Sequence, residues 1–202
     1  MFKSWFKQRN RKKLKDESYS FLFDEYEGDE VVVFDCETTG LDTKKDEILS
    51  IGAVIVKDNK ILTSQSFEIF TNPKKKINEV SITIHHIREC DVESDLSVEQ
   101  GVDKFLKFIG NRPLVGYYLE FDVAMVNSVI KPWLGIKLPN EQLEVSGIYY
   151  DYKTKFIPQG NIDLHFDTII DDLNLVQLAK HDALNDAIMT AMIYIKLKQL
   201  TK

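Results

Sequence analysis

The stretch "VVVFDCETTG", residues 31–40, joins a run of four apolar residues to two carboxylates, Asp35 and Glu37. A short, fully apolar run is typical of a strand in the centre of a sheet. Side chains alternate along a strand, so Asp35 and Glu37 point to one face and Cys36 to the other. Two neighbouring carboxylates repel each other unless a proton or a cation lies between them. The stretch therefore predicts a strand that ends at a site for a hard divalent cation, with an exposed loop of two solvated acids as the alternative.

The composition is that of an ordinary globular chain and excludes several classes of protein. Of 202 residues, 44% are hydrophobic and 29% are charged, as in average soluble domains. Two cysteines, Cys36 and Cys90, are too few for a disulfide framework or a cysteine-based zinc site. No apolar run approaches the roughly 18 residues that span a bilayer, and the N-terminus lacks the apolar centre of a signal peptide. We therefore expect a cytoplasmic protein without a membrane span.

Charge is unevenly distributed along the chain. The formal net charge is −6, yet residues 1–15 contain seven Lys and Arg and no acid, so the remainder carries 19 basic against 32 acidic residues. We interpret residues 1–27 as a basic N-terminal arm whose apolar segment, Phe21–Phe23, docks on a body formed by residues 28–202. The alternative is an arm that contacts nucleic acid, a membrane, or a polymerase or other replication or repair partner.

The body predicts an α/β fold with a mixed sheet flanked by helices. Residues 47–70 predict two strands joined by a turn at Asp58-Asn59. Residues 97–110 predict a helix that begins with a capping box, Ser97 to Gln100, and ends at a glycine. Further expectations are a strand over residues 113–118, a helix that ends before Pro132, irregular structure over 133–160, and helices over 161–175 and 181–200. In the predicted strand over 113–118, alternation sends Tyr117 and Tyr118 to opposite faces.

Two further segments carry acids at the start of predicted helices. "EFDVAM" contains Asp122, and "HDALNDA" contains His181, Asp182 and Asp186. Residues five apart in one helix lie roughly 140° apart around its axis. His181 and Asp186 therefore converge only if His181 lies in the loop before the helix and Asp186 in its first turns.

These segments, in this order, resemble the DnaQ-like 3′–5′ exonucleases of the DEDDh type, a family with an RNase H-like fold that includes bacterial proofreading subunits. The family's first motif, DxETTG, is matched in full by residues 35–40. Its third motif, HxAxxD, is matched by His181, Ala183 and Asp186. The resemblance covers about residues 30–198 and leaves the basic arm without a counterpart.

The second motif is the point at which this chain departs from the family pattern. The family usually has HNxxFD, and this chain has "YYLEFD", so Asp122 matches while Tyr117 and Tyr118 replace His-Asn. The departure bears on substrate preference more than on activity, because neither tyrosine is an expected metal ligand. "IHHI" resembles the family's HGI segment near the nucleotide pocket, with His85 at the matching position.

The resemblance implies a hydrolase that uses two Mg²⁺ or Mn²⁺ ions, which in such enzymes lie roughly 4 Å apart. The metal ligands would be Asp35, Glu37, Asp122 and Asp186. His181 would take the proton from the attacking water, together with Glu37 as a catalytic residue, since histidine has an ordinary pKa of about 6.5. Residues expected to line the terminal-nucleotide pocket are Thr38, Thr39, Leu41, His85, Tyr117 and Tyr118.

The expected function is a 3′–5′ exonuclease that acts at a free 3′ end of DNA and releases 5′-mononucleotides. One alternative is the same chemistry on short RNA, since RNA recognition rests on the 2′-OH and no residue here reveals a contact to it. Another is a non-catalytic interaction module of a polymerase assembly, against which the complete acidic set argues. An aspartyl phosphatase would need an aspartate at position 37. Because the chain ends directly after the last helix, we expect a free-standing nuclease.

Overall fold

The structure is a computed structural model that describes residues 2–74, 95–157 and 162–201. The strands are β1 (Val31–Thr38), β2 (Ile48–Lys57), β3 (Lys60–Ile61), β4 (Phe67–Phe70), β5 (Leu114–Gly116) and β6 (Gln142–Glu144). The α-helices of these residues are α1 (Phe2–Arg11), α2 (Val98–Ile109), α3 (Leu119–Leu134), α4 (Val145–Lys153), α5 (Phe166–Asp172) and α6 (Ala183–Leu200), with 3₁₀ turns at Glu17–Phe23 and Thr63–Gln65. Every described helix is too short or too polar to cross a bilayer.

The sheet is mixed, as predicted, and β1 lies inside it. Strand order is β3-β2-β1-β5-β6, and β4 also pairs with β2. β1 runs antiparallel to β2 and parallel to β5, which is parallel to β6. The carboxyl ends of the three parallel strands therefore share one edge of the sheet, where ligands bind in folds of this kind.

The two faces of β1 contribute to two separate cores. Val32, Phe34 and Cys36 are buried in the core that α2 and α3 cover. Val31 and Val33 are buried in the core that includes α4, α5 and α6. By alternation, the side chains of residues 35 and 37 belong to the second face, towards α6.

The chain after the Asp58-Asn59 turn departs from the predicted single strand. Both turn residues have positive φ, 49° and 58°, as a tight hairpin turn requires. The returning chain then forms β3, a 3₁₀ turn over Thr63–Gln65, and β4, all along the ten-residue β2. The three residues of the 3₁₀ turn are polar and exposed, so no buried side chain holds them in the sheet.

The helix predicted to end before Pro132 continues through it to Leu134. Proline removes one backbone donor, but in the last turn of a helix this costs a single hydrogen bond. The carbonyls at this end are bonded from elsewhere, because Lys15 donates through its Nζ to the Pro132 oxygen at 2.8 Å and through its backbone N–H to the Leu134 oxygen at 3.0 Å. Gly135, at φ 79°, then ends the helix.

Residues 133–160, predicted to be irregular, instead contain β6 and α4. The sequence of α4, "VSGIYYDYK", has few strong helix formers. Its first turn is stabilised by Glu144, whose Oε1 accepts from the Ser146 N–H at 3.1 Å, and Val145 and Tyr149 are buried in the α6-side core. The helix predicted over residues 161–175 is confirmed only between Phe166 and Asp172.

The N-terminal segment packs against the body, and the predicted docking of Phe21–Phe23 is confirmed. Leu22 is buried, and its two phenylalanine neighbours pack against the same core as α2 and α3. Tyr19 is also buried, donates through its hydroxyl to Asp103 Oδ1 at 2.6 Å, and meets the Trp133 ring edge-to-face at 5.1 Å. These contacts hold the segment Glu17–Phe23 against α2 and the end of α3.

Candidate active site

The end of β1 presents two carboxylates to the α6 side of the sheet. Asp35 lies opposite Gly52 in the β1–β2 ladder, and Glu37 lies opposite Ser50. The register shifts between Glu37 and Thr38, where the strand ends. The Asp35 side chain is half-buried, and Glu37 is only 9% exposed.

The first turn of α6 lies directly on β2, and the contact is made at Gly52. A Cβ at this position would lie 2.2 Å from both the Ala183 carbonyl carbon and the Leu184 nitrogen. Real Cβ atoms do not come so close, so only glycine lets α6 approach here. Sequence reasoning missed this residue, although a glycine inside an apolar strand indicates the close approach of another backbone.

His181 and Asp186 converge in the manner that their spacing requires. His181 lies in the loop before α6 with φ 60°, and Asp186 lies in the first turn of that helix. The His181 N–H donates to Asp186 Oδ2 at 3.1 Å. Asp182, between them, is the N-cap, and its Oδ1 accepts from the Asn185 N–H at 2.8 Å. One ligand atom from each of Glu37, His181 and Asp186 lies within 4.8 Å of the others.

The fourth carboxylate, Asp122, enters from the other side of β1 in the first turn of α3. Its side chain is 3% exposed, and its Oδ1 accepts from the Cys36 N–H at 3.1 Å. Tyr118, at φ 53°, precedes the helix, and the N–H of Leu119 donates to Glu144 Oε2 at 2.9 Å. Glu144 therefore supports the starts of both α3 and α4, a role that the sequence did not indicate because the partners are 25 residues apart.

Burial and mutual repulsion raise the pKa values of these acids, so a nearby positive charge would stabilise their ionised forms. Burial, followed by the charges of Asp122, Asp186 and Glu37, raises the pKa of Asp35 well above its usual range. Burial and the charge of Asp186 raise the pKa of Glu37 to about 8. Burial raises the pKa of Asp186 to about 6, although the His181 N–H and Lys180 oppose it.

The pKa of Asp122 behaves in the same way. Burial raises it well above the usual range, and the hydrogen bond from Cys36 offsets this only in part. Carboxylate oxygens are the donors that Mg²⁺ and Mn²⁺ prefer. The residues present therefore fit divalent cations, whose positive charge would favour the ionised carboxylates and so lower the raised pKa values.

A cavity of about 450 Å³ opens beside these acids. Its lining comprises Asp35, Tyr117, His165, Phe166, Asp167, Lys180, His181, Asp186 and Thr190. Tyr117 meets the Phe166 ring edge-to-face at 4.9 Å and donates through its hydroxyl to the Leu164 oxygen at 2.9 Å. The cavity thus has an acidic end and an aromatic wall.

The placement of Tyr117 and Tyr118 on opposite faces of a strand is wrong, because β5 ends at Gly116. Tyr117 lines the cavity, whereas Tyr118 is 72% exposed and touches Tyr117 edge-to-face at 5.1 Å. Substitution of the family's His-Asn therefore places two aromatic rings next to the acidic group.

The remaining predicted pocket residues lie in and after the end of β1. Thr38 donates through Oγ1 to the Gly40 oxygen at 2.8 Å, and the buried Thr39 accepts at its Oγ1 from the Glu47 N–H at 3.0 Å. Leu41 is 84% exposed. His85 lies outside the described residues. The structure therefore brings Asp35, Glu37, Asp122, His181 and Asp186 together and leaves Leu41 on the surface beside them.

Comparison with known proteins agrees with the fold and with these motifs. The sequence model of the Exonuclease family matches residues 32–194. A DNA polymerase III PolC-type from Caldanaerobacter subterraneus subsp. tengcongensis is 36% identical over 172 residues, which is 83% of this chain and 11% of the relative. The DNA polymerase III subunit epsilon of Aquifex aeolicus is 28% identical over 166 residues, 82% of this chain and 79% of the relative.

Among solved structures, exonuclease X in complex with 5′ overhanging duplex DNA superposes with a TM-score of 0.65. It is 23% identical and covers 84% of this chain and 91% of its own. The predicted RNase H-like fold is confirmed by this likeness. The chain spans about a tenth of the length of the PolC-type relatives that it matches.

Proposed function

Because the chain belongs to the exonuclease family, we propose that it hydrolyses phosphodiester bonds at the 3′ end of DNA and releases 5′-mononucleotides. The observation that carries this proposal is the convergence of four carboxylates with His181 beside an open cavity. The proposed catalytic body is residues 28–202, with residues 1–27 as an attached arm. A cytoplasmic location is part of the proposal.

We propose that two divalent ions, Mg²⁺ or Mn²⁺, are held by Asp35, Glu37, Asp122 and Asp186. The raised pKa values of all four acids support this assignment, because the charge of a bound cation offsets both the lost hydration of the carboxylates and their mutual repulsion. When bound, such ions acidify the attacking water and stabilise the charge on the leaving oxygen.

The proposed role of His181 is to accept the proton of the attacking water. Its imidazole lies at the mouth of the acidic group, and the ring is exposed enough to pass the proton to solvent. The bond from its own N–H to Asp186 Oδ2 holds the His181 backbone beside that carboxylate, in the left-handed region at φ 60°. A single residue of this kind typically contributes about a hundredfold to ten-thousandfold in rate.

Positioning of the terminal nucleotide is assigned to Tyr117, whose ring forms one wall of the cavity with Phe166. Base–aromatic stacking contributes about 1–3 kcal/mol per base and tolerates every base. Thr38, Thr39 and Leu41 complete the proposed pocket from the end of β1.

DNA is favoured over RNA because the relatives are named as parts of DNA polymerase III and a structural neighbour is complexed with duplex DNA. The same names favour a replication partner, such as a polymerase. The direct test is to incubate the protein with 3′-labelled DNA and RNA oligonucleotides in Mg²⁺, Mn²⁺ or EDTA, with Asp35→Asn as the inactive control. Metal-dependent release of mononucleotides from DNA supports the proposal, and equal or faster release from RNA contradicts the assignment to DNA.

A further inference from the structure

A second cavity, of about 390 Å³, lies between α1 and the chain that follows α3. It is lined by Phe6, Arg9, Asn10, Lys13, Lys131, Gly135, Ile136 and Lys137. Four of these residues are cationic, and no acid of the described chain belongs to the lining. In a protein with a net charge of −6, this grouping creates a local positive potential that the overall charge opposes. We call this feature the cationic cavity.

The cationic cavity is held together by contacts that do not use the charged groups of its described lining residues. The Asn10 side chain donates to the Lys137 oxygen at 2.7 Å and accepts from the Lys137 N–H at 3.1 Å. Gly135 brings the two segments together, because a Cβ there would lie 2.5 Å from the Lys13 oxygen. Within residues 2–74, 95–157 and 162–201, none of the four cations forms an ion pair; Arg9 instead lies over the Trp5 ring, at 5.5 Å.

Exposed aromatic rings stand beside the cations. Trp5 is 52% exposed and Phe6 is 60% exposed, and their rings meet edge-to-face at 5.0 Å. Phe6 is itself part of the lining. Large aromatic side chains with cations around them are the surfaces on which unpaired bases stack while the backbone is held by charge.

We propose that the cationic cavity binds single-stranded DNA, with Lys131 and Lys137 on its phosphates and Trp5 or Phe6 against its bases. Paired bases cannot reach an aromatic ring in this way, so a single strand fits the surface better than a duplex. An anionic membrane is disfavoured because Lys131 and Lys137 line a concavity, whereas a bilayer meets only the outermost side chains. The inference rests on the proposed nuclease function, since the bound strand is the remote part of the substrate.

Because the cationic cavity lies away from the acidic group, the affinity for DNA should depend on the length of the strand. Asp122 lies in the first turn of α3 and Lys131 in the last, about 14 Å farther along the helix axis. A strand must therefore extend several nucleotides beyond the cleaved bond before it reaches Lys131. Long substrates gain affinity from the cationic cavity, and very short ones do not.

The test uses the full chain with Asp35→Asn, so that DNA is bound and not degraded. Lys131→Gln with Lys137→Gln removes two charges but keeps the bonds of Asn10, which go to backbone atoms of residue 137. The matched control is Lys60→Gln with Lys104→Gln, which removes the same charge from exposed sites elsewhere. Dissociation constants for a labelled single strand of about 20 nucleotides, longer than a typical site of 4–16, are measured by fluorescence anisotropy over a range of salt.

We expect the cavity variant to bind roughly tenfold more weakly and its salt slope to fall by about 1.4, since each single-strand phosphate contact contributes about 0.7. The control should match the parent. Equal affinities and slopes for the two variants would overturn the proposal. Binding to phosphatidylserine vesicles should be measured in parallel, and a cavity variant that loses binding to the vesicles but not to DNA would also overturn it. The nuclease proposal fails on a different result, namely that the protein with native Asp35 hydrolyses no oligonucleotide of any length.

Discussion

Gly52 and Ala183 are in backbone contact: the missing side chain of the first leaves the space in which the second begins α6. Gly52 is also the β2 partner of Asp35. The distance between the carboxylates of β1 and those of α6 is thus set by a residue that carries no functional group. The arrangement of the site depends on this contact as much as on the acids themselves.

Gly52→Ala should therefore separate Asp186 and His181 from Asp35 and Glu37. Overpacking of this kind typically destabilises a protein by about 1–3 kcal/mol, and a displacement of about 1 Å in a catalytic site can cost a hundredfold in rate. We expect the variant to fold, to bind Mn²⁺ more weakly and to hydrolyse DNA at least tenfold more slowly.

The matched control is Gly147→Ala, where a Cβ meets no atom within 4 Å. Gly147 lies inside α4, so alanine there should raise helix stability by about 0.5–1 kcal/mol and leave activity intact. Thermal melting, metal titration and turnover should be measured for both variants. Wild-type activity and metal affinity in Gly52→Ala would show that the α6 contact does not position the site.

Substitution of Asp122 can separate the effect of its buried charge from the effect of its hydrogen bond with Cys36. Asp122→Asn keeps an oxygen that accepts from the Cys36 N–H and removes the buried charge. Because burial raises the pKa of Asp122, the metal-free Asn variant should melt at a higher temperature than wild type near neutral pH. Its hydrolysis should fall by about a hundredfold or more, since the ions supply several kcal/mol of transition-state stabilisation.

Asp122→Ala should be less stable than Asp122→Asn but should lose activity to the same extent. It leaves the Cys36 N–H buried without its partner, at a cost of about 1–3 kcal/mol. Differential scanning fluorimetry in EDTA compares the two variants. An Asn variant that is less stable than the Ala variant, or one that hydrolyses DNA as wild type does, would contradict the account of Asp122.

The pH dependence of stability should reveal the uncompensated acids. The pKa of Glu37 is raised from an ordinary value of 4.5 to about 8, and that of Asp186 from 3.8 to about 6. Between those limits the folded protein holds more protons than the unfolded chain, so the free energy of unfolding must fall as pH rises. In EDTA the melting temperature should drop by several degrees between about pH 5 and pH 8, since 1 kcal/mol corresponds to about 2–4 °C.

Two comparisons identify the source of that drop. Glu37→Gln should reduce the drop, because its amide has no proton to lose, while Asp186 keeps its own contribution. Saturating Mg²⁺ or Mn²⁺ should also reduce it, because ligands of the native state stabilise the ionised acids. A wild-type profile that coincides with that of Glu37→Gln in EDTA would mean that Glu37 does not carry the pH effect.

The sequence predicted the parts of the fold and site that depend on local pattern. Three features could be predicted from a few neighbouring residues. They are the end of the β1 apolar run at Asp35 and Glu37, the capping box of α2, and the position of His181 in a loop. Each of these features is determined within about one helical turn or one strand, which is the range over which patterns act.

The features that the sequence did not predict all depend on contacts between residues that are distant in the chain. α4 forms from a weak helical sequence because Glu144 caps it and the α6-side core covers Tyr149. α3 continues through Pro132 to Leu134, and its last carbonyls accept hydrogen bonds from Lys15 of the N-terminal segment. The role of Gly52 depends on a helix that begins 131 residues later. None of these partners is visible in the local sequence.

His181 carries the central mechanistic claim, and His165 provides its control. Both imidazoles line the same cavity, but His165 contacts Asp163 and is not part of the group with Glu37 and Asp186. If His181 accepts the proton, only its neutral form is active, so the wild-type rate should climb as pH rises. His181→Ala should then lose that rise and about a hundredfold to ten-thousandfold of the rate, whereas His165→Ala should keep both.

The decisive measurement is therefore the single-turnover rate of DNA hydrolysis against pH for wild type, His181→Ala and His165→Ala, with metal saturating at every point. If His181 accepts the proton, His181→Ala alone should show a slow, flattened profile. A His181→Ala profile that matches wild type in both rate and shape would contradict it.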